Sequence, residues 1–79
     1  MLSVIPNPVS GTSQIKVSAV KGARVKIYSA TGQVMSNDIL TSGNYAKTIN
    51  NTEFSQGIYM VIVLVDGKPV KTEKMVVVK

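Results

Sequence analysis

The chain of 79 residues contains no cysteine and no histidine. A disulfide framework, a thiol nucleophile and the common zinc sites are therefore excluded, and so is the side chain that enzymes use most often as a general base. The chain also lacks tryptophan, and aromatic residues make up only 5% of it. Aromatic side chains this few and this dispersed do not provide an obvious stacking platform for single-stranded nucleic acid.

Acidic residues are also scarce. The four carboxylates, Asp38, Glu53, Asp66 and Glu73, are isolated in sequence, and no pair of them has a spacing that indicates a glycosidase or metal site. No serine lies in a Gly-x-Ser-x-Gly motif, and the glycines do not cluster into a phosphate-binding loop. We therefore expect no enzymatic activity, no metal site and no cofactor.

Basic residues are the more frequent charges. Nine lysine and arginine residues against four acidic ones give a net charge of +5, a balance found in proteins that bind nucleic acid, anionic membranes or acidic glycans. Most of them occur singly within alternating segments, as is typical of exposed positions on strands. Lysine at such positions opposes aggregation of the strands. We therefore predict a solvated surface and no nucleic-acid partner. The one candidate cluster is Lys68, Lys71, Lys74 and Lys79.

Length and hydropathy predict one small folded domain. A domain of 79 residues buries only about 60–65% of the surface of its unfolded chain, so most apolar side chains must contribute to the core. Hydrophobic residues make up 44% of the chain and charged residues 16%, a balance typical of folded rather than disordered chains. No apolar run approaches the roughly 20 residues that span a bilayer, and Met1 leads directly into a short strand pattern without the features of a signal peptide.

Hydrophobic residues alternate with polar residues along most of the chain, which is the period of β-strands. The segment from Ile58 to Val65 is instead apolar on both faces, which predicts a central strand covered on each side. Short strands separated by turn residues favour an all-β fold, an Ig-like antiparallel β-sandwich of about seven strands, with a closed barrel as the alternative. We predict strands at 2–5, 13–19, 24–29, 33–40, 45–50, 58–65 and 70–79.

The turns between these strands contain residues with a defined conformational role. Asp66-Gly67 predicts a two-residue hairpin turn, in which both residues have positive φ. Gly32 is expected to supply the left-handed residue of a three-residue hairpin loop, so positive φ is predicted at Gly32 and Gly67. The longest loop runs from Asn51 to Gly57, and we expect Phe54 within it to cover one end of the core.

Four segments occur in order along the chain. They are Ile5-Pro6-Asn7-Pro8, Val25 to Val34, Phe54 to Val61 with its Gly57-Ile58-Tyr59 strand entry, and Lys74 to Lys79. Each segment alone is an ordinary turn or strand, but in this order and spacing they resemble the C-terminal sorting domain of Bacteroidetes proteins that are exported by the type IX secretion system. The resemblance spans nearly the whole chain. Ile5 stands where that family often has an aromatic residue, and Ser29 stands where it often has aspartate.

The resemblance implies that residues 1–79 form a single, non-catalytic signal domain of a longer exported protein. Such a domain directs its cargo protein from the periplasm through the outer membrane, to the cell surface or into the medium, and a surface sortase commonly removes it. The implied partners are the type IX secretion machinery, the sortase and the parent cargo protein. The resemblance places the cleavage site upstream of the domain.

The resemblance also implies where recognition takes place. The recognition residues would be Lys74, Met75, Val76, Val77, Val78 and Lys79, in a β-prone, basic-flanked segment suited to adding to the sheet edge of a receptor. Alternatively, Met75 and Val77 complete the sandwich. The isolated domain is also expected to be able to form a homodimer through an edge strand. The structural motif residues are Pro6, Asn7, Pro8, Gly32, Gly57, Ile58, Tyr59, Asp66 and Gly67.

A β-sandwich supports many functions, so a second class of protein remains open. The alternative is a fibronectin-like or carbohydrate- or protein-binding module appended to a secreted enzyme. A carbohydrate-binding module usually exposes tryptophan or clustered tyrosines, whereas this chain has three dispersed tyrosines, Tyr28, Tyr45 and Tyr59.

Overall fold

Seven β-strands and their connecting turns form the described part of the chain. The computed structural model describes residues 2–5 and 9–78. None of these residues lies in a helix, so this part of the chain has no helix long and apolar enough to span a membrane. The strands are β1 (Leu2–Ile5), β2 (Thr12–Ser18), β3 (Arg24–Ser29), β4 (Val34–Ile39), β5 (Asn44–Asn50), β6 (Gly57–Val65) and β7 (Lys68–Val77).

The strands form two sheets with the orders β1-β2-β5 and β4-β3-β6-β7. Neighbouring strands are antiparallel in both sheets. The predicted all-β antiparallel sandwich is confirmed, and the described strands do not close into a barrel. Each sheet ends in two edge strands, which are β1 and β5 in the smaller sheet and β4 and β7 in the larger one.

The core lies between the two sheets and follows from the alternation of side chains along each strand. On β2, Ile15 and Val17 are buried while Gln14, Lys16 and Ser18 are exposed. Burying an aliphatic side chain of this size stabilises a fold by about 1.5–3 kcal/mol, so the inward-facing residues are the main source of stability. The buried hydrophobic residues are Leu2, Val9, Ile15, Val17, Ala23, Val25, Ile27, Leu40, Ile49, Phe54, Tyr59, Val61, Val63, Met75 and Val77.

The central strand β6 differs from its prediction on one face. Its inward residues, Tyr59, Val61 and Val63, are buried as expected. The other face was predicted to be covered as well, and this prediction is wrong. Ile58 on that face is 49% exposed, and Met60, Ile62 and Leu64 are only partly buried. The sheet β1-β2-β5 packs on the opposite side, so β6 presents apolar side chains on the outer face of its own sheet.

The hairpin turns have the predicted backbone conformations. Asp66 and Gly67 have φ values of 52° and 77°, as a two-residue turn with positive φ at both positions requires. Gly32, with a φ of 89°, lies in the β3–β4 turn, which the Ser29 amide closes by donating to the Gln33 carbonyl at 2.8 Å. Beyond the turn at Asp66, β7 begins two residues before the predicted start, since an edge strand tolerates a proline such as Pro69.

Candidate recognition site around the last strand

The predicted recognition residues lie at the end of edge strand β7. Val77, Val76 and Met75 are opposite Gly57, Ile58 and Tyr59 of β6, so the third and fourth resemblance segments are direct neighbours. The register of β6 and β7 places Asp66-Gly67 at the other end of this hairpin. The Gly57-Ile58-Tyr59 motif therefore positions the terminal segment, while the hairpin turn is remote from it.

The side chains of this segment alternate between the core and the surface. Met75 and Val77 are fully buried, whereas Lys74 is exposed and Val76 and Val78 are partly exposed. The expectation that Met75 and Val77 complete the sandwich is therefore confirmed. Lys79 lies outside the described residues. A partner that meets the folded domain can contact Lys74, Val76 and Val78, but it cannot reach Met75 or Val77.

The outer edge of β7 is covered near its end by the segment that follows the Pro-Asn-Pro element. The Val9 amide donates to the Val76 carbonyl at 2.7 Å, and the Val78 amide donates to the Val9 carbonyl at 2.9 Å, which forms a parallel bridge between Val9 and Val77. A receptor strand can therefore add at this point only by displacing Val9. Pro6, Asn7 and Pro8 themselves lie outside the described residues.

The loop between β5 and β6 fixes the same end of the sandwich. The Asn51 amide donates to the Gly11 carbonyl at 2.9 Å, and the Asn51 side chain donates to the Val78 carbonyl at 3.3 Å. Phe54 is only 7% exposed and contacts Tyr59 edge-to-face, with ring centroids 5.3 Å apart. The prediction that Phe54 covers the end of the core is confirmed, and the loop is bonded both to Gly11 before β2 and to Val78 after β7.

The second resemblance segment reaches this end through the β3–β4 turn. Ser29 is opposite Tyr59 in the register, and a shallow surface depression lies between the two segments. The second and third resemblance segments, which are 20 residues apart in sequence, thus meet next to the end of β7. The depression is lined by Ser29, Ala30, Thr31, Gln56, Gly57, Ile58 and Tyr59.

A polar cluster that sequence patterns did not indicate joins the edges of the two sheets. The Tyr45 hydroxyl on β5 donates to the Asp38 carboxylate on β4, and Lys47 Nζ lies 3.7 Å from the same carboxylate. Asp38 is opposite Val25, and Tyr45 and Lys47 are opposite Val17 and Ile15, so all three point toward the core side. The cluster forms where the edges of the two sheets meet, so the pattern of a single strand does not indicate it.

We expect the stability of the domain to fall above pH 10 because of this cluster. Partial burial, the hydrogen bond to Asp38 and the charge of Asp38 together raise the pKa of Tyr45 above its usual value of 10.0. The unfolded chain therefore releases the phenolic proton at a pH where the folded chain retains it, so the stabilisation is present below pH 10 and is lost as pH rises. Denaturant unfolding at pH 9 and pH 11 measures this loss.

The Tyr45→Phe variant is the control for this prediction, because it removes the titrating hydroxyl and keeps the ring. It should lose less stability between the two pH values than the parent chain. An equal loss in both proteins would show that the Tyr45 hydroxyl does not cause the alkaline destabilisation.

The described residues offer little of what the other function classes require. Among residues 2–5 and 9–78 there is no cluster of three or more His, Cys, Asp or Glu side chains that could hold a metal ion. A second depression, next to β2 and β5, has one aromatic residue in its lining, Tyr45, whose hydroxyl is bonded to Asp38. A single engaged tyrosine does not form the aromatic platform expected of a carbohydrate-binding module.

Comparison with known proteins identifies the family of the chain. The model of the secretion system C-terminal sorting domain matches residues 3–79. No curated protein and no solved structure gives a significant match. The match includes all the strands described above except the first residue of β1. The chain therefore belongs to the family of C-terminal sorting domains of type IX secretion.

Proposed function

We propose that residues 1–79 act as a single, non-catalytic signal domain that directs a cargo protein through the outer membrane by type IX secretion. The observation that carries this proposal is the family match, which extends over residues 3–79. The absence of cysteine and histidine supports a passive signal, since the usual nucleophiles and general bases are missing. The proposal requires no metal and no cofactor.

In the proposed pathway, the cargo enters the periplasm through its own signal and is then routed outward by this domain. The secretion machinery is the partner that reads the domain, and a surface sortase removes it by cleavage upstream. The cargo is then released or stays attached to the cell surface. No nucleic acid takes part.

The signal is proposed to lie in the segment from Lys74 to Lys79. In the folded domain, the machinery would read the exposed Lys74 and the partly exposed Val76 and Val78, while Met75 and Val77 hold the strand in the core. The contacts of Val9 and Asn51 support this division, because they hold the end of β7 in one place against the sandwich.

Export of a fusion protein tests the proposal. A passenger protein fused upstream of this domain is expressed in cells that contain the type IX machinery, and its surface and periplasmic fractions are measured. Lys74→Gln combined with Lys79→Gln should leave the passenger in the periplasm, because both charges of the segment are lost. Lys74 is exposed, so its change is expected to alter stability by no more than about 0.5 kcal/mol.

Lys68→Gln combined with Lys71→Gln is the matched control, since both lysines are exposed residues of the same strand. The control should be exported like the parent fusion. Normal export of the Lys74 and Lys79 variant would contradict the proposed reading of the charged segment. A parent fusion that is never exported would contradict the proposed function itself.

We also propose that the isolated domain pairs through an edge strand. Strand β4 supports this proposal, because it is an edge of the larger sheet and exposes Val34, Met35 and Ile39. An exposed apolar edge strand is a template for pairing with another chain.

A further inference from the structure

The outer face of the larger sheet carries a row of apolar side chains that no described element covers. Ile58, Met60, Ile62 and Leu64 alternate along β6 with its buried residues and therefore point away from the core. They are partly or largely exposed although β6 lies in the interior of its sheet. A continuous apolar row on the surface of a small domain commonly marks a site of interaction.

Basic side chains border this row on both sides. The register places Arg24 and Lys26 of β3 opposite Leu64 and Ile62, and it places Lys74 of β7 opposite Met60. Residues directly opposite each other in a sheet point to the same face. The guanidinium of Arg24 lies 3.5 Å from the amide oxygen of Asn37, which is a neutral group and leaves the positive charge in place.

The acidic residues of the chain are all elsewhere. Asp38 and Glu73 are opposite Val25 and Val61, whose buried side chains define the core side of the sheet. Glu53 lies in the turn after β5, and Asp66 lies in the β6–β7 hairpin. The outer face of the larger sheet is therefore apolar along its centre and carries positive charge alone at its borders.

We propose that this face is a docking surface for a partner protein whose own surface has an apolar centre flanked by acidic side chains. The inference rests on the proposed export function, because the partner is a protein that the cargo meets during export. Complementary charge at the border of such a surface steers association and disfavours other partners. Lys74 belongs both to this face and to the proposed signal, so the signal segment would be one border of a wider contact.

Two other occupants fit the face less well. A second copy of the chain would bring Arg24, Lys26 and Lys74 against the same three residues, and like charges in contact oppose association. A lipid surface would need apolar side chains that enter the acyl region. If a flat sheet face entered the acyl region, the edges of β4 and β7 would also approach lipid, where unpaired backbone groups are costly.

The size of the face indicates a transient contact. Four strands about 4.8 Å apart, each with six residues that rise about 3.3 Å, cover roughly 400 Å². A stable complex buries about 800 Å² on each partner, so this face alone fits an encounter that forms and is released. Release is required of a contact made with each cargo molecule in turn.

The first experiment compares export of fusions with changes on the two outer faces. The double variant Lys26→Glu with Ile62→Thr reverses one charge and shortens the apolar row. It should reduce the exported fraction about tenfold or more, which corresponds to a tenfold weaker affinity for the partner. Lys16→Glu is the matched control, because Lys16 is an exposed strand lysine on the outer face of the other sheet and the net charge changes equally. This control should be exported normally.

The export of the parent fusion distinguishes a failure of the docking surface from a failure of the proposed export function. Export of the parent fusion together with equal export of the face variant would overturn the docking surface and leave the signal function standing. Absence of export from the parent would overturn both. Thermal unfolding shows whether the face variant is folded. If it is not, Lys26→Glu alone replaces it, and this single change should still reduce export relative to Lys16→Glu.

The second experiment identifies the occupant. A photo-reactive phenylalanine derivative is placed at position 62 of the fusion in exporting cells, with the same derivative at position 16 as the control. The expected product is an adduct, at position 62 alone, to a protein segment that contains acidic and apolar side chains. An adduct to lipid, an adduct to a second copy of this chain, or no adduct in exporting cells would each overturn the proposed partner.

Discussion

Replacing Met75 by Ala is expected to lower the free energy of unfolding by about 2–5 kcal/mol, the usual cost of truncating a buried Met or Leu. Met75 is fully buried and opposite Tyr59, in the strand that carries the proposed signal. A domain of this size has a total stability of about 4–12 kcal/mol, so the change removes a large part of it. The thermal midpoint should fall by at least about 8 °C.

Val76→Ala is the matched control, because Val76 is the next residue in the same strand and is only partly buried. It should cost about 1 kcal/mol or less, as surface-facing changes usually do. Thermal and denaturant unfolding of both variants measure the difference. Equal losses in the two variants would contradict the assignment of Met75 to the core side of β7.

The same comparison matters for any test of export. A Met75→Ala fusion that fails to reach the surface would not reveal whether Met75 is read by the machinery, because unfolding alone explains the failure. A Lys74→Gln fusion is easier to interpret, because Lys74 is exposed and its replacement leaves no cavity in the core. Variants at buried positions of β7 thus test folding, whereas variants at its exposed positions test recognition.

The strands and turns could be predicted from the sequence because their causes are local. The alternation of Ile15 and Val17 with polar residues is visible in sequence and indicates which side chains face the core. The positive φ of Asp66 and Gly67 follows from the conformations that a two-residue turn allows. Phe54 could be placed over the core because a lone aromatic residue in a long polar loop gains most by burial.

The contacts that assemble the site depend on which distant strands become neighbours, and no local pattern contains that information. The bridge from Val9 to β7 joins residues 68 positions apart, and the hydrogen bond from the Asn51 side chain to the Val78 carbonyl joins residues 27 positions apart. The run from Ile58 to Val65 was misleading for a related reason. In sequence, an apolar row that packs against a second layer of the protein cannot be distinguished from one that lies on an uncovered face of a sheet.

The four resemblance segments gain a physical meaning from these contacts. Val9, which follows the first segment in sequence, pairs with Val77, and Gly57 and Tyr59 pair with the terminal strand from its other side. The motifs therefore position the last strand in the fold, in addition to any part that they have in its recognition. The loop between β5 and β6 contributes to this positioning. Its residue Phe54 packs on Tyr59, and its residue Asn51 donates a hydrogen bond to the Val78 carbonyl.

Replacing Phe54 by Ala should for this reason destabilise the domain by about 3–5 kcal/mol, of which the edge-to-face contact with Tyr59 contributes about 0.5–1.5 kcal/mol. Phe54 is 7% exposed, and its removal leaves a cavity at the end of the core next to the strand entry at Gly57. The loss should appear in denaturant unfolding as a lower midpoint with an unchanged slope, since the surface exposed on unfolding changes little.

Phe54→Leu is the informative control, because it keeps an apolar side chain over the core and removes only the aromatic contact with Tyr59. It should cost less than half as much as Phe54→Ala. Hydrogen exchange of the Val78 amide, which donates to Val9, should quicken in the Ala variant more than in the Leu variant if the loop holds the end of β7. Equal exchange in both variants, with equal stability losses, would show that the loop and the terminal strand are held independently of Phe54.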